Sequence, residues 1–76
     1  MADRADAVGN DREGTVRRAV RAGDDDREGT VRRLQRGLAE GRLDVAEFDE
    51  RVRAAYAART LGELADLTAD LPPDRW

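Results

Sequence analysis

Seventy-six residues suffice for one small domain, and a charged fraction of 41% against 39% hydrophobic leaves little material for its core. The net charge is −3, all fourteen basic residues are Arg, and His, Cys, Ser, Lys and Ile are absent. Zinc sites, disulfides, Schiff bases and the usual nucleophile–base pairs are thereby excluded, so no catalytic residue, metal ligand or cofactor site is assigned. The longest uncharged apolar run, Ala54-Ala55-Tyr56-Ala57-Ala58, falls far short of the roughly 20 residues of a membrane span. The charged start Met1-Ala2-Asp3-Arg4-Ala5-Asp6 is no signal peptide. A cytoplasmic chain with no membrane span is expected.

Residues 1–23 contain a partial duplicate of the neighbouring segment. Asp11-Arg12-Glu13-Gly14-Thr15-Val16-Arg17-Arg18 recurs letter for letter as Asp26-Arg27-Glu28-Gly29-Thr30-Val31-Arg32-Arg33. The second copy continues into Leu34 and Leu38, which join Val31 as an apolar helical stripe; the first has Ala19 and Gly23 in their places. Burying one Leu contributes about 1.5–3 kcal/mol, so the first copy lacks what would hold it. It is predicted to be a disordered or frayed arm whose removal through residue 20 leaves the thermal midpoint nearly unchanged.

Residues 24–71 are predicted to form three helices, with 72–76 a short tail. Asp25 is the expected cap of the first, with Glu28 as its capping-box partner. That helix runs to about Glu40 and stops at Gly41, suited to the left-handed position after a helix. Gly37 lies beside the Leu34/Leu38 stripe, where a missing side chain allows close helix approach. Asp44 and Glu47 form the next capping box, stapled by Leu43 and Phe48, and open a helix carrying Val45, Phe48, Val52, Ala55 and Tyr56 on one face. Thr60 and Glu63 cap a short third helix presenting Leu61, Leu64, Ala65 and Leu67 or Thr68. Leu71 stands just before Pro72-Pro73, which ends it. The expected core is Val31, Leu34, Leu38, Leu43, Val45, Phe48, Val52, Tyr56, Leu61, Leu64, Leu67 and Leu71. Chains of this size gain only about 3–5 kcal/mol from one core, so marginal stability is expected, which self-association or attachment to something larger would relieve.

Arg21-Ala22-Gly23-Asp24-Asp25-Asp26-Arg27-Glu28, then Leu38-Ala39-Glu40-Gly41-Arg42-Leu43, Glu47-Phe48-Asp49-Glu50-Arg51, Ala57-Ala58-Arg59-Thr60 with Glu63-Leu64, and Asp70-Leu71-Pro72 appear in that order. This succession resembles the SHOCT-like domain of unknown function 1707 (DUF1707), a family known mainly from actinobacteria, over residues 21–72. Gly-Arg-Leu-x-x-x-Glu-Phe also looks like the wider SHOCT group of short helical modules. The resemblance implies an all-α, SHOCT-like three-helix fold, no enzymatic activity and no cofactor; oligomerisation has been proposed for the wider group. Family members often carry the module ahead of transmembrane segments, which implies a membrane-proximal place by analogy only. The duplicate of residues 11–18 has no counterpart in the family pattern.

The charged residues receive structural readings first. Asp24-Asp25-Asp26 reads as compensation of a helix dipole, since adjacent acids point apart and do not converge on a cation. Glu47, Asp49, Glu50, Glu63, Asp66 and Asp70 read as a solvated face. Acid-first pairs at i, i+4 are expected at Glu28–Arg32, Glu47–Arg51 and Asp49–Arg53. Arg51 either pairs with Asp70 or Asp66 or snorkels past the Phe48/Val52 stripe, and snorkelling is slightly favoured. Trp76 is either a frayed end or a partner's anchor. The arginines of residues 12–36 suggest phosphate contact, but interleaved acids nearly neutralise them. The third helix offers Glu63, Asp66 and Asp70 where a DNA-reading helix would be basic. The sequence therefore predicts a non-enzymatic protein–protein interaction or oligomerisation module without a small-molecule substrate. A DNA-associated regulator using the Arg-rich N-terminal segment is the alternative, nucleic acid being the disfavoured partner.

Overall fold

The structure, a computed structural model, describes residues 16–72. Three helices follow one another: α1 (Asp24–Ala39), α2 (Val45–Ala57) and α3 (Leu61–Leu67). Each packs against the other two, and a helical turn at 16–19 precedes them. The fold is all-α. Among the described residues the sole β-type pairing is one antiparallel bridge, Arg21 with Thr60. No helix there is long and apolar enough to cross a membrane.

That bridge fixes where α1 begins. The Ala22 N–H donates to the Arg59 carbonyl at 2.9 Å, and Gly23 is still extended at φ −98°, ψ 175°. Helical geometry therefore starts at Asp24, with Gly23 as N-cap, instead of behind a cap at Asp25. Asp26 reaches back to the Gly23 N–H at 2.9 Å, the role expected of Glu28. Asp25 and Glu28 are exposed residues of the helix. All three Asp residues occupy the first turn, where they offset the positive end of the helix dipole.

At the other end Gly41 adopts φ 74°. Its N–H donates to the Leu38 carbonyl at 3.1 Å, and the Arg42 N–H donates to the Gly37 carbonyl at 2.8 Å. These two bonds form a Schellman motif. The reversal sends Leu43 back over the helix, so that its Cδ1 and both Leu71 methyls lie within 3.4 Å of where a Cβ on Gly37 would stand. Asp44 then caps α2, accepting from the Glu47 N–H at 2.7 Å while Glu47 accepts from the Asp44 N–H at 3.0 Å. Thr60 and Glu63 repeat the exchange at the start of α3, at 3.2 and 3.1 Å.

The buried apolar residues are Leu34, Leu43, Ala55, Ala58 and Leu64. Ala22, Val31, Leu61 and Leu67 pack half-buried around the Ala55, Ala58 and Leu64 cluster. Leu38, Phe48, Val52 and Leu71 are half-buried. Tyr56 and Val45 do not join the core: they are 58% and 71% exposed. Helical geometry gives the reason. Tyr56 lies about 100° round the axis from the fully buried Ala55, and Val45 within about 20° of Tyr56. The buried face runs the other way, through Phe48, Arg51, Ala55 and Ala58, because Arg51 and Ala58 meet α3 and α1. Ala65 is likewise exposed, whereas Thr68 is buried.

The segment ahead of α1 divides. Residues 1–15 lie outside the described residues, as do 73–76 with Trp76. Residues 18–22 are docked on the α2–α3 connection. The Leu61 N–H donates to the Val20 carbonyl at 2.9 Å, and Arg18 pairs with Asp66 at 3.1 Å. A Cβ on Gly62 would stand 3.0 Å from the Arg18 Cβ and carbonyl, so glycine there permits the close approach.

Candidate functional site: arginines around the α2–α3 connection

Three arginines join the helices by donating to backbone carbonyls at or after helix C-termini, where unpaired acceptors collect. Arg27 on α1 places Nε and Nη2 at 3.2 and 3.1 Å from the Ala58 carbonyl, and Nη1 at 3.0 Å from Asp24. Arg33, six residues on, donates from Nη1 to the Thr68 hydroxyl at 2.9 Å and from Nη2 to the Pro72 carbonyl at 3.1 Å. Its Nε is buried with no hydrogen-bond partner among the described residues. Arg51 on α2 meets both Asp70 oxygens, at 2.7 and 3.0 Å, and donates to the Leu67 carbonyl at 3.1 Å. Neither α2 nor α3 has a basic residue in its own last turn; arginines from other helices occupy that role. A guanidinium supplies five donors in a rigid fork, which an ammonium does not.

Arg51 thus pairs with Asp70, the alternative that snorkelling was favoured over. Glu47, its expected helical neighbour, is engaged in the α2 cap. Asp49 and Arg53 do form an i, i+4 pair, at 2.9 Å. The hydrogen bonds from Arg51 hold the Asp70 carboxyl below its ordinary value, and Asp70 correspondingly raises Arg51. Arg18 is raised by its hydrogen bond to Asp66.

Beside this framework lies an open cleft of about 490 Å³ lined by Arg21, Arg27, Arg59 and Thr60. The backbone pairing of residues 21–22 with 59–60 creates it, bringing together arginines separated by most of the domain in sequence. Arg27, half-buried, forms its fixed part, and three of its five N–H donors are engaged. Arg21 and Arg59 are exposed. Acids lie close by along the chain, among them the exposed Asp25 and Glu28. Asp24 pairs with Arg27 and Asp26 caps Gly23. Glu63 accepts from the Arg59 and Thr60 N–H groups and the Thr60 hydroxyl. Three arginines thus contribute to the lining of one cleft, and one of them, Arg27, is already paired with Asp24 at 3.0 Å.

Arg21 and Arg27 belong to the 12–36 arginine cluster that the sequence offers for phosphate contact, whereas nothing in the sequence links Arg59 to them, because that proximity arises from tertiary pairing. The one compositional signal is that every basic residue is Arg. Among the described residues no group of three or more His, Cys, Asp or Glu side chains could hold a metal ion. The helical module and its arginine-braced connections define a small all-α domain with no assembled acid–base centre among the groups described above. Residues 20–72 match the DUF1707 SHOCT-like domain, and the chain belongs to that family of unknown function. No curated protein and no solved structure matches it significantly.

Proposed function

We propose that this domain is a non-catalytic protein–protein interaction or oligomerisation module. The carrying observation is the face of α2 that holds Val45 and Tyr56, 71% and 58% exposed, in a chain with little apolar material to leave outside its core. Exposed apolar side chains on one side of a helix are suited to burial against another surface. The assignment of arginines weighs against the DNA-binding alternative. Arg18, Arg27 and Arg33, which would belong to a phosphate-contacting stripe, are engaged with Asp66, the Ala58 carbonyl and the Thr68–Pro72 turn.

Sedimentation of the chain at micromolar concentrations, together with capture of partners by the immobilised domain, tests the reading. Concentration-dependent assembly, or a captured protein whose binding is lost in the Tyr56→Glu variant, is expected. A monomer at every concentration with no captured protein would overturn it.

A further inference from the structure

We propose that the outward face of α2 pairs antiparallel with the same face of a second copy of this chain, setting Asp49 of each copy beside Arg53 of the other. This deepens the interaction reading and rests on it. Val45, Asp49, Val52 and Tyr56 fall within about 60° of one another round the α2 axis. Their spacing of four, three and four residues is that of a coiled-coil seam. Val45 and Tyr56 stand 71% and 58% exposed at its ends, with the half-buried Val52 between them. Asp49 lies on the seam and Arg53 on its flank, both exposed, and they pair with each other at 2.9 Å.

The order of these residues selects both the partner and its direction. A two-fold axis through the midpoint between Val45 and Tyr56 sets Val45 level with Tyr56 of the other copy, and Asp49 level with its Val52. Arg53 of the other copy then lies one residue, about 1.5 Å, along the axis from Asp49. Antiparallel two-fold pairing keeps a helix flank on the same side in both copies. The two Asp49–Arg53 pairs therefore join in one neutral group of four charges, in which each carboxylate gains a second guanidinium. Parallel pairing in register would instead bring the two Asp49 carboxylates together and send the arginines to opposite flanks, an arrangement opposed by like-charge repulsion. The stripe is thus its own complement in apolar ends and in charge, as a two-fold contact requires and an unrelated surface does not. The seam from Val45 to Tyr56 runs only about 16 Å. The area it buries falls below the roughly 1,200 Å² of stable complexes, so the dimer is weak.

Sedimentation equilibrium of the full chain from about 10 μM to about 1 mM, the span of weak association, tests the arrangement. A monomer–dimer equilibrium that closes at two is expected. Asp49→Arg and Arg53→Asp should each weaken dimerisation by about fivefold or more, because the two-fold axis counts every altered exposed pair twice. An equimolar mixture of the two variants should dimerise at least as tightly as the parent chain, since one copy then carries two cations at these positions and the other two anions. Both positions are exposed, so the circular dichroism of each variant alone is expected to be unchanged, and recovery in the mixture excludes misfolding. Asp49→Asn separates the two directions: it weakens an antiparallel dimer and strengthens a parallel one. The proposal is overturned by a monomer at the highest concentration, by growth beyond the dimer, or by single variants that dimerise like the parent. It is equally overturned by a mixture no better than its components, or by tighter assembly of Asp49→Asn. Should the chain stay monomeric while its immobilised form captures a protein through Tyr56, the interaction reading stands and this dimer falls.

Discussion

Arg51 combines three bonds in one guanidinium: two to Asp70 and one to the Leu67 carbonyl at the end of α3. Lysine at this position would retain the charge but lose the planar fork. Arg51→Lys is expected to lower stability by about 1 kcal/mol, and Arg51→Met by more, measured by urea unfolding. Asp70 gives the same contact a pH dependence. Its carboxyl is held below the ordinary value, so the unfolded chain binds the proton more readily than the folded one. The stabilisation is complete above the ordinary carboxylate range and is lost as pH falls below about 4, through the lowered value of the folded state. Asp70→Asn should flatten that part of the acid-unfolding curve; an unchanged acid limb would separate Asp70 from acid stability. Gly41 supplies a different residue-scale test, because its φ of 74° disfavours any residue with a Cβ. Gly41→Ala should cost about 1–2 kcal/mol in the same assay.

At the scale of elements, the informative piece is the segment before α1. Sequence comparison of the two copies predicts a dispensable arm, because Ala19 replaces Leu34. The docking of residues 18–22 uses no large buried anchor. It depends on the Val20 carbonyl, the Ala22 N–H, the Arg18–Asp66 pair and the absence of a side chain at Gly62. Hydrophobic periodicity does not register backbone pairing or a close approach between distant residues, and these decide the outcome here. Deletion through residue 20 is accordingly expected to lower the thermal midpoint by several degrees relative to deletion through residue 15. A lost intramolecular hydrogen bond contributes about 1 kcal/mol, which corresponds to about 4–8 °C in a domain of this size. Gly62→Ala should release the segment without deleting it, seen as faster hydrogen exchange at Ala22 and Leu61. Unchanged exchange would show that Arg18 accommodates the methyl.

For the molecule as a whole, the modest core and the outward-facing Val45 and Tyr56 belong to one physical situation. Thirty-nine per cent of residues are hydrophobic, yet Leu34 is the largest side chain among those described that is fully buried. Cross-helix arginine bonds supply donors to helix-end carbonyls that have no partner within their own helix. Such a fold is sensitive to anything that binds it, since binding to the folded state raises stability by mass action. If the domain self-associates through the α2 face, its thermal midpoint should rise with protein concentration, and Tyr56→Glu should abolish the dependence. A concentration-independent midpoint in the parent chain would exclude stabilisation by self-association.

The sequence by itself determined the all-α class, and the ends of the helices show why so much of that is local. Asp44 and Thr60 each reach the N–H three residues on, and Gly41 turns the chain through its own φ, so the controlling atoms are near neighbours along the chain. The start of α1 escapes that logic. Gly23, not Asp25, is its cap because residues 21–22 are held extended by Arg59 and Thr60, far away in sequence. Tyr56 fails as a core residue for a related reason: apolar spacing describes a stripe on α2, while Arg51 and Ala58 determine which flank of it meets the other helices. The absence of His, Cys, Ser and Lys narrowed the chemistry through composition alone. Only the tertiary structure decided where the remaining arginines went. A guanidinium at the end of a long side chain chooses partners by spatial proximity, and sequence spacing encodes that only when both partners share a helix.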